Sequence, residues 1–571
     1  MTLLNLRDTL AQIAREEASG STRRARITAT VTKELTHIWD NALSSNPDTN
    51  LEGIALVAVG SLGRGDMGPM SDLDLLIVYD PQRTTADAAQ TIAPHVWYPL
   101  WDAGLDLDHS VRSLAQCRQV ASHDIAAAVG MLTMTWIAGD KHIAHDASSA
   151  ILTDWRHAAR TRLASLRTSI HHRHEQFGDV AYSLDPHIKE GRGGLRDAQV
   201  LDAIAASWLT DRSHGELDDA IEWIHDVRDA IHLVTARHAN TLLAVDRADV
   251  AAHLGYDDPD DLVRDLAHAA RRIAFELDVT IRRAIAVLTG GSGIQRTLLI
   301  RGKRSAPRLR YVAPSVVELA GELVLPPPPP GGYDPLVSLH LAVASARTGL
   351  SISGSVVPSL SSMPPLTFPW SAPARSLFDQ LLASGPALAD IWEVFDIAGV
   401  TSGWIPEWDA LRHRPQRAPI HRHTLDRHLI ETVMRVRPWR SQVARSESLF
   451  LAALLHDIGK PAGGVDHAAY GAEMVGPIVE RMGYSPTVVA DVRCVVAHHL
   501  TLAQWATTRD VEDPAVAGEL ADALEGNVDR LVMLRGVTEA DGSSLGEAGW
   551  SSWRARLVDD LFQATLRVMN Q

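Results

Sequence analysis

Apolar residues at helical spacing, Leu6, Leu10 and Ile13, open the chain, so residues 1–50 read as helical. From Leu51 to about Ser113 the pattern changes. Residues 54–59 form an unbroken apolar run ending at Gly60, which predicts a short buried strand; residues 72–79 and 105–111 predict two more. From about Ile125 to Val287 the chain is rich in Ala, Leu, Arg and His and predicts a series of helices. That signal stops near Gly290. Strand-like pieces follow, then five prolines (326–330) running into Gly331 and Gly332, a semi-rigid connector of polyproline type. Residues 350–374, rich in Ser, Pro and Gly, read as loop. Helical periodicity resumes near Arg375 and continues to Gln571. No internal repeat is visible.

These patterns define an α+β chain in four parts: helices then strands over 1–120, helices over 121–290, an irregular connector over 291–374, and helices over 375–571. A length of 571 residues agrees, since roughly 150 residues per domain gives three or four. The content, 46% apolar and 22% charged, is that of a soluble globular protein. No apolar run approaches the roughly 20 residues that span a bilayer, so no membrane partner is expected. The first residues lack a secretory pattern, and two cysteines, Cys117 and Cys494, make no disulfide framework. The expected location is cytoplasmic. Fifty-four basic against 70 acidic residues leave a net charge of −16, which counts against a nucleic-acid partner, because such binding rests on Lys and Arg contacts to phosphate.

The first candidate centre follows the first strand. Gly60-Ser61-Leu62-Gly63-Arg64 leads into Ser71-Asp72-Leu73-Asp74-Leu75. Alternate strand residues share a face, so Asp72 and Asp74 point together while Leu73 and Leu75 face the core. Two adjacent carboxylates repel unless a cation lies between them, and their oxygens suit Mg²⁺, which also takes substrate phosphates. A Gly-Ser turn brings backbone N–H groups close to a triphosphate. Asp106 and Asp108 offer further carboxylates on one face of the third strand.

The second centre is His456-Asp457, which ends an apolar helix over 449–455 and is followed by Gly459 and Pro461. Burying a His-Asp pair is costly without a partner, and imidazole with carboxylate suits Zn²⁺, Mn²⁺, Fe²⁺ or Co²⁺. Further candidate ligands follow the chain order: His428 upstream, then His467, the pair His498-His499, and Asp541.

Gly-Ser-x-Gly-Arg followed by Ser-Asp-x-Asp-Leu resembles the nucleotidyltransferases of DNA polymerase beta type. That resemblance implies a small mixed sheet with helices and two Mg²⁺ ions held by three carboxylates. His428, His456-Asp457, the optional histidines and Asp541 resemble the HD phosphohydrolases. This implies an all-helical domain and a metal-activated water attacking phosphorus; His467 and either His498 or His499 would support a second metal.

A third segment, Lys189-Glu190-Gly191-Arg192-Gly193-Gly194-Leu195-Arg196-Asp197, resembles a signature of the bifunctional PII uridylyltransferase/uridylyl-removing enzymes. Its Lys189 and Arg196 suit contact with a nucleotide held with Gly60, Ser61 and Arg64. Trp101-Asp102-Ala103-Gly104-Leu105-Asp106 with His109-Ser110-Val111-Arg112 resembles the strand carrying that family's third carboxylate. By register the match is Asp106, with Asp108 an extra acid outside the usual pattern. The resemblance implies transfer of a nucleotide monophosphate (UMP, or AMP as in some members) from UTP or ATP to a tyrosine of the PII nitrogen-signalling protein, and its hydrolytic removal at the HD site. The family normally continues into two glutamine-sensing ACT domains; the residues up to Gln571 contain no segment of that kind. An RNA-tailing nucleotidyltransferase with an HD domain is the main rival, and it would need a basic tract for RNA. A PII-binding regulator with one inactive site is another. Guanosine tetraphosphate synthetase-hydrolases carry the hydrolase first, the reverse of the order here.

Overall fold

The computed structural model describes residues 6–16, 20–46, 52–289, 298–300, 303–305, 310–416, 420–462, 466–547 and 549–571. The expected boundary at 290/291 lies outside them. The chain forms two compact units, residues 1–293 and 294–571.

In the first unit a four-stranded sheet carries β1 (Ile54–Ala58), β2 (Leu73–Tyr79), β3 (Leu107–Ser113) and β4 (Thr135–Gly139) in the order β3-β2-β1-β4. β1 runs antiparallel to β2 and β4, and β2 runs parallel to β3. The unbroken apolar run of β1 is explained by burial on both faces. Ala55 and Val57 face one core with Leu76 and Val78, while Ile54, Leu56 and Ala58 face another with Leu73, Leu75 and Ile77. Helix Gly20–Ser44 covers the second face through Ile27, Val31, Leu35 and Ile38. The first face is covered by helices from further along the chain, including Ala159–Phe177, Leu195–Ala206, Glu216–Thr235 and Pro259–Leu288. β4 falls where the pattern predicts only helices. Its sequence Thr-Trp-Ile-Ala-Gly has no clean alternation, and pairing with β1 makes it a strand.

The second unit is mainly helical around one core. Helix Ser446–Leu455 is buried on every side from Ser448 onward, the condition for a helix apolar all round. Helices Leu425–Val436, His467–Arg481, Pro486–His498, Val528–Ser544 and Ser552–Met569 contribute to the same core. The stretch read as an irregular connector is part of this body. Strands Arg310–Ala313, Val316–Leu319 and Glu322–Val324 form a small antiparallel sheet. Val316, Leu323 and the helix Val337–Thr348, through Leu339 and Leu341, join the core of the HD-like helices. Strands of three or four residues are too short to declare themselves by period. Among the described residues no helix is long and apolar enough to cross a membrane.

Candidate functional site

Two sites stand in the two units. In the first, a cavity of about 460 Å³ is lined by Gly60, Ser61, Arg64, Asp72, Asp74, Asp108, Lys189 and Arg196, among others. β1 delivers the chain into a short helix, Gly60–Arg64, and Val59 N–H donates to the Asp74 carbonyl at 3.0 Å. Gly60 has φ +62°, and a Cβ there would stand 1.8 Å from the Asp74 carboxylate, so only glycine lets the turn pass this close. The Ser61 side chain is buried and its hydroxyl has no hydrogen-bond partner among the described residues. Arg64 is held by a two-pronged ion pair to Asp66, with Nε to Oδ2 at 2.8 Å. Arg228 in turn donates to the Asp66 carbonyl at 2.8 Å.

Asp74 pairs in parallel register with Asp108. Burial pushes the Asp74 carboxyl up to about 6; the charges of Asp72 and Asp108 add to this, while Lys189 and Arg64 oppose it. A carboxylate so strained by its neighbours is suited to a bound cation. Asp106 is not brought into this cavity. It precedes β3, its carbonyl accepts from Leu73 N–H at 2.9 Å, and it lines an adjoining cavity. The family pattern points to Asp106 as the third carboxylate and leaves Asp108 as an extra acid, whereas in the structure Asp108 pairs with Asp74 and lines this cavity.

The Lys189 to Asp197 segment is fixed from below. Asp197 is fully buried and accepts from Gly193 N–H at 2.7 Å, Arg173 Nη2 at 2.5 Å and His174 Nε2 at 3.0 Å. Burial would raise its carboxyl, yet the bonds and charges of His174 and Arg173 hold it below the usual range. Gly193, at φ +82°, lies against helix Pro259–Leu288, where a Cβ would meet the Ala270 carbonyl at 2.2 Å. Arg196 N–H donates to the Lys189 carbonyl at 2.9 Å, and the Arg196 guanidinium is aimed by Gln199 and Glu190. The segment thereby carries Lys189 and Arg196 to the cavity wall.

In the second unit five elements converge. His428 comes from helix Leu425–Val436, His456 and Asp457 follow helix Ser446–Leu455, His467 begins helix His467–Arg481, His499 follows Pro486–His498, and Asp541 lies in Val528–Ser544. Two ligand sets result: His428, His456 and Asp541, and Asp457, His467 and His499. Asp457 stands between them. Its Oδ2 lies 3.5 Å from His428 Nε2 and 3.4 Å from His456 Nε2, and its Oδ1 lies 3.5 Å from the Nε2 atoms of both His467 and His499.

The ring orientations are set from outside. Nδ1 of His456 contacts the Ala453 carbonyl at 2.9 Å and Nδ1 of His499 the Val496 carbonyl at 2.8 Å. Nδ1 of His428 contacts Ser544 Oγ at 2.8 Å, and that hydroxyl donates to the Asp541 carbonyl. Each Nδ1 so occupied leaves Nε2 turned inward, as metal-ligating histidines require. Nε2 of His467 and of His499 is buried without a hydrogen-bond partner among the described residues, which fits an absent cation. Without one, burial would lower the His456 imidazolium, but Asp457 and Asp541 push it up to about 10. Gly459 makes the crowding possible, since a Cβ there would strike the His467 carbonyl at 2.2 Å.

His498 is not part of either set; its Nδ1 contacts Thr501 Oγ1 at 3.4 Å. One residue along a helix end turns a side chain by about 100°, so only one of the adjacent pair faces the centre. Sequence reasoning passed over Lys460, whose Nζ lies 2.5 Å from Asp457 Oδ2 and donates to Gln416 Oε1 at 2.7 Å. Its place directly after His456-Asp457-Ile458-Gly459 was the available signal. Ser544 and Arg228 gave none.

Carboxylates paired across a small mixed sheet beside a cradle of cations, followed by a helical body with a His-Asp ligand set, define the class: a nucleotidyltransferase domain joined to an HD domain. Family profiles agree, the nucleotidyltransferase domain matching residues 41–123 and the HD domain 425–532. Between them, the profile described as GlnD PII-uridylyltransferase matches residues 161–278. The chain is 40% identical over 541 residues to a bifunctional uridylyltransferase/uridylyl-removing enzyme of Streptomyces coelicolor, covering 94% of this chain and 64% of that protein. A protein of the same name from Mycobacterium tuberculosis (strain ATCC 25618 / H37Rv) is 39% identical over 528 residues, covering 90% and 64%. One from Corynebacterium glutamicum is 33% identical over 502 residues, covering 88% and 70%. The chain belongs to the family of bifunctional uridylyltransferase/uridylyl-removing enzymes. It spans 64% of the length of the first two relatives.

Proposed function

We propose that the first unit transfers a nucleotide monophosphate from UTP to a tyrosine of a PII signalling protein, and that the second unit hydrolyses the resulting phosphodiester. The observation that carries this reading is the first cavity, where Asp72, Asp74 and Asp108 face the Lys189 and Arg196 of the family's own segment. In the forward step the tyrosine oxygen bonds to the α-phosphorus, the bond to the β-phosphate breaks, pyrophosphate leaves and the phenol proton passes to solvent. Arg64, Lys189 and Arg196 carry the positive charge that binds and orients the triphosphate, and the buried Ser61 hydroxyl supplies a donor for it. Asp72, Asp74 and Asp108 would hold Mg²⁺, which when bound neutralises charge on the triphosphate and aligns attacking and leaving oxygens.

In the removal reaction water oxygen bonds to phosphorus, the bond to the tyrosine oxygen breaks, the phenol leaves with a proton and the nucleoside monophosphate is released. His428, His456, Asp457 and Asp541 would hold one divalent ion, and Asp457, His467 and His499 a second; such ions, Mn²⁺, Zn²⁺ or Fe²⁺, lower the pKa of water and polarise the phosphoryl oxygens. Lys460 is aimed at the same centre and offers a cation for the phosphodiester oxygens. Both cysteines are free, which fits the reducing cytoplasm in which this reading sets the enzyme.

The test is intact-mass analysis of a PII protein incubated with this chain, Mg²⁺ and either UTP or ATP. A gain equal to UMP is expected, and a gain equal to AMP would name the other nucleotide. No gain from folded chain with either nucleotide overturns the transferase reading.

A further inference from the structure

A second and larger cavity, about 940 Å³, adjoins the nucleotide cavity in the first unit. The two share Ser71, the residue before Asp72, and His238 as common wall. Helix Glu216–Thr235 ends at Ala236, a left-handed residue with φ +54°, and this turn sets Arg237 and His238 beside the opening. Its lining includes the apolar Met67, Met70, Leu105 and Leu233, the basic Arg23, Arg237 and His253, and Asp106, the only carboxylate among the lining residues. The Asp106 carbonyl accepts from the N–H of Leu73, the residue after Asp72.

We infer that this second cavity is the acceptor subsite, taking the tyrosine-bearing loop of the protein to be modified. The inference rests on the transferase reading above. Nucleotidyl transfer is an in-line displacement, so the attacking oxygen must arrive on the side of the α-phosphorus away from the leaving pyrophosphate. The cations assigned to the triphosphate, Arg64, Lys189 and Arg196, all line the first cavity, whereas the arginines of the second are Arg23 and Arg237. The second cavity meets the first at Ser71, next to Asp72. Its apolar lining suits an aromatic ring, since methionine and leucine side chains pack well against one. Its volume, twice that of the first, suits a loop rather than a lone side chain. Arg237 in the lining favours an acidic residue flanking the tyrosine.

Two variants test it in the full chain: Arg237→Glu, which reverses an exposed charge, and Val234→Trp, which fills the cavity from its helical wall. Each is assayed for the KM of the PII acceptor and, separately, for the Kd of a non-hydrolysable UTP analogue. The expected result is an acceptor KM raised at least tenfold with analogue Kd unchanged within twofold. Weakened analogue binding with an unchanged acceptor KM would assign the cavity to the nucleotide and overturn the inference, as would no change in either. Failure of the unaltered chain to modify the acceptor overturns the transferase reading and this inference together.

Discussion

At the scale of single residues, Asp108 carries the most. It stands across from Asp74, lines the same cavity and raises the Asp74 carboxyl by its charge. Asp108→Asn keeps the volume and removes that charge, so transfer should fall roughly 10²–10³-fold, the range for losing one preorganised electrostatic group at a reacting centre. Asp106→Asn should lower kcat with saturating acceptor much less, and steady-state rates of the two variants compare them directly. Strand alternation predicts Asp72 and Asp74 on one face, and Asp72, just before β2, and Asp74 within it line one cavity. The sequence pattern favours Asp106, and the strand register, which is not visible in the sequence, sets Asp108 opposite Asp74. His498 and His499 pose the same problem on a helix end, where His499 is the one grouped with Asp457 and His467.

Asp379 gives a pH prediction far from either centre. Burial pushes its carboxyl up to about 6, the charge of Glu447 adds to this, and the hydrogen bond from Tyr484, at 2.6 Å, and the charge of Arg375 only partly oppose it. Its ordinary value is 3.8, so the folded chain holds this proton more tightly than the unfolded chain. The resulting stability is fully present below about pH 4 and is lost as pH rises through about 6. The loss should be on the order of 2 kcal/mol. Asp379→Asn should flatten that part of the pH profile, read as denaturation midpoints between pH 4 and 7.

At the scale of elements, the segment from Lys189 to Asp197 shows how a loop becomes rigid enough to hold a substrate. Asp197 ties it to helix Ala159–Phe177 through Arg173 and His174, and Gly193 lets it rest against helix Pro259–Leu288. Asp197→Ala would leave Arg173 and His174 without their buried partner, at a cost of about 3–5 kcal/mol. Thermal unfolding should report that loss. The KM for UTP should also rise, because Lys189 and Arg196 depend on the same anchor. Asp197→Asn, which keeps an acceptor oxygen, should recover part of both. The chemistry of this segment was readable from its residues, its anchoring was not: Arg173 and His174 lie more than 20 residues upstream in a helix whose other face is solvent. β4 was missed for a related reason, since pairing with β1, far upstream in sequence, makes it a strand.

For the whole molecule, the order of the parts was legible, because each centre carries its own ordered motif and the two motifs are far apart in the chain. The residues proposed for each centre also lie within one unit: Asp72, Asp74 and Asp108, which line one cavity, within residues 1–293, and His428, His456, Asp457, His467, His499 and Asp541 within residues 294–571. Separate placement predicts separate loss. Asp72→Ala should abolish formation of nucleotidylated PII while leaving removal from pre-modified PII within about twofold. His456→Ala with Asp457→Ala takes away two buried ligands of the second set and should abolish removal while sparing transfer. Circular dichroism of each variant checks that it is folded, and metal analysis of the double variant should read a loss of bound divalent ion. Should either change, in a folded chain, extinguish both activities, the two reactions share a centre and the assignment of one reaction to each unit fails.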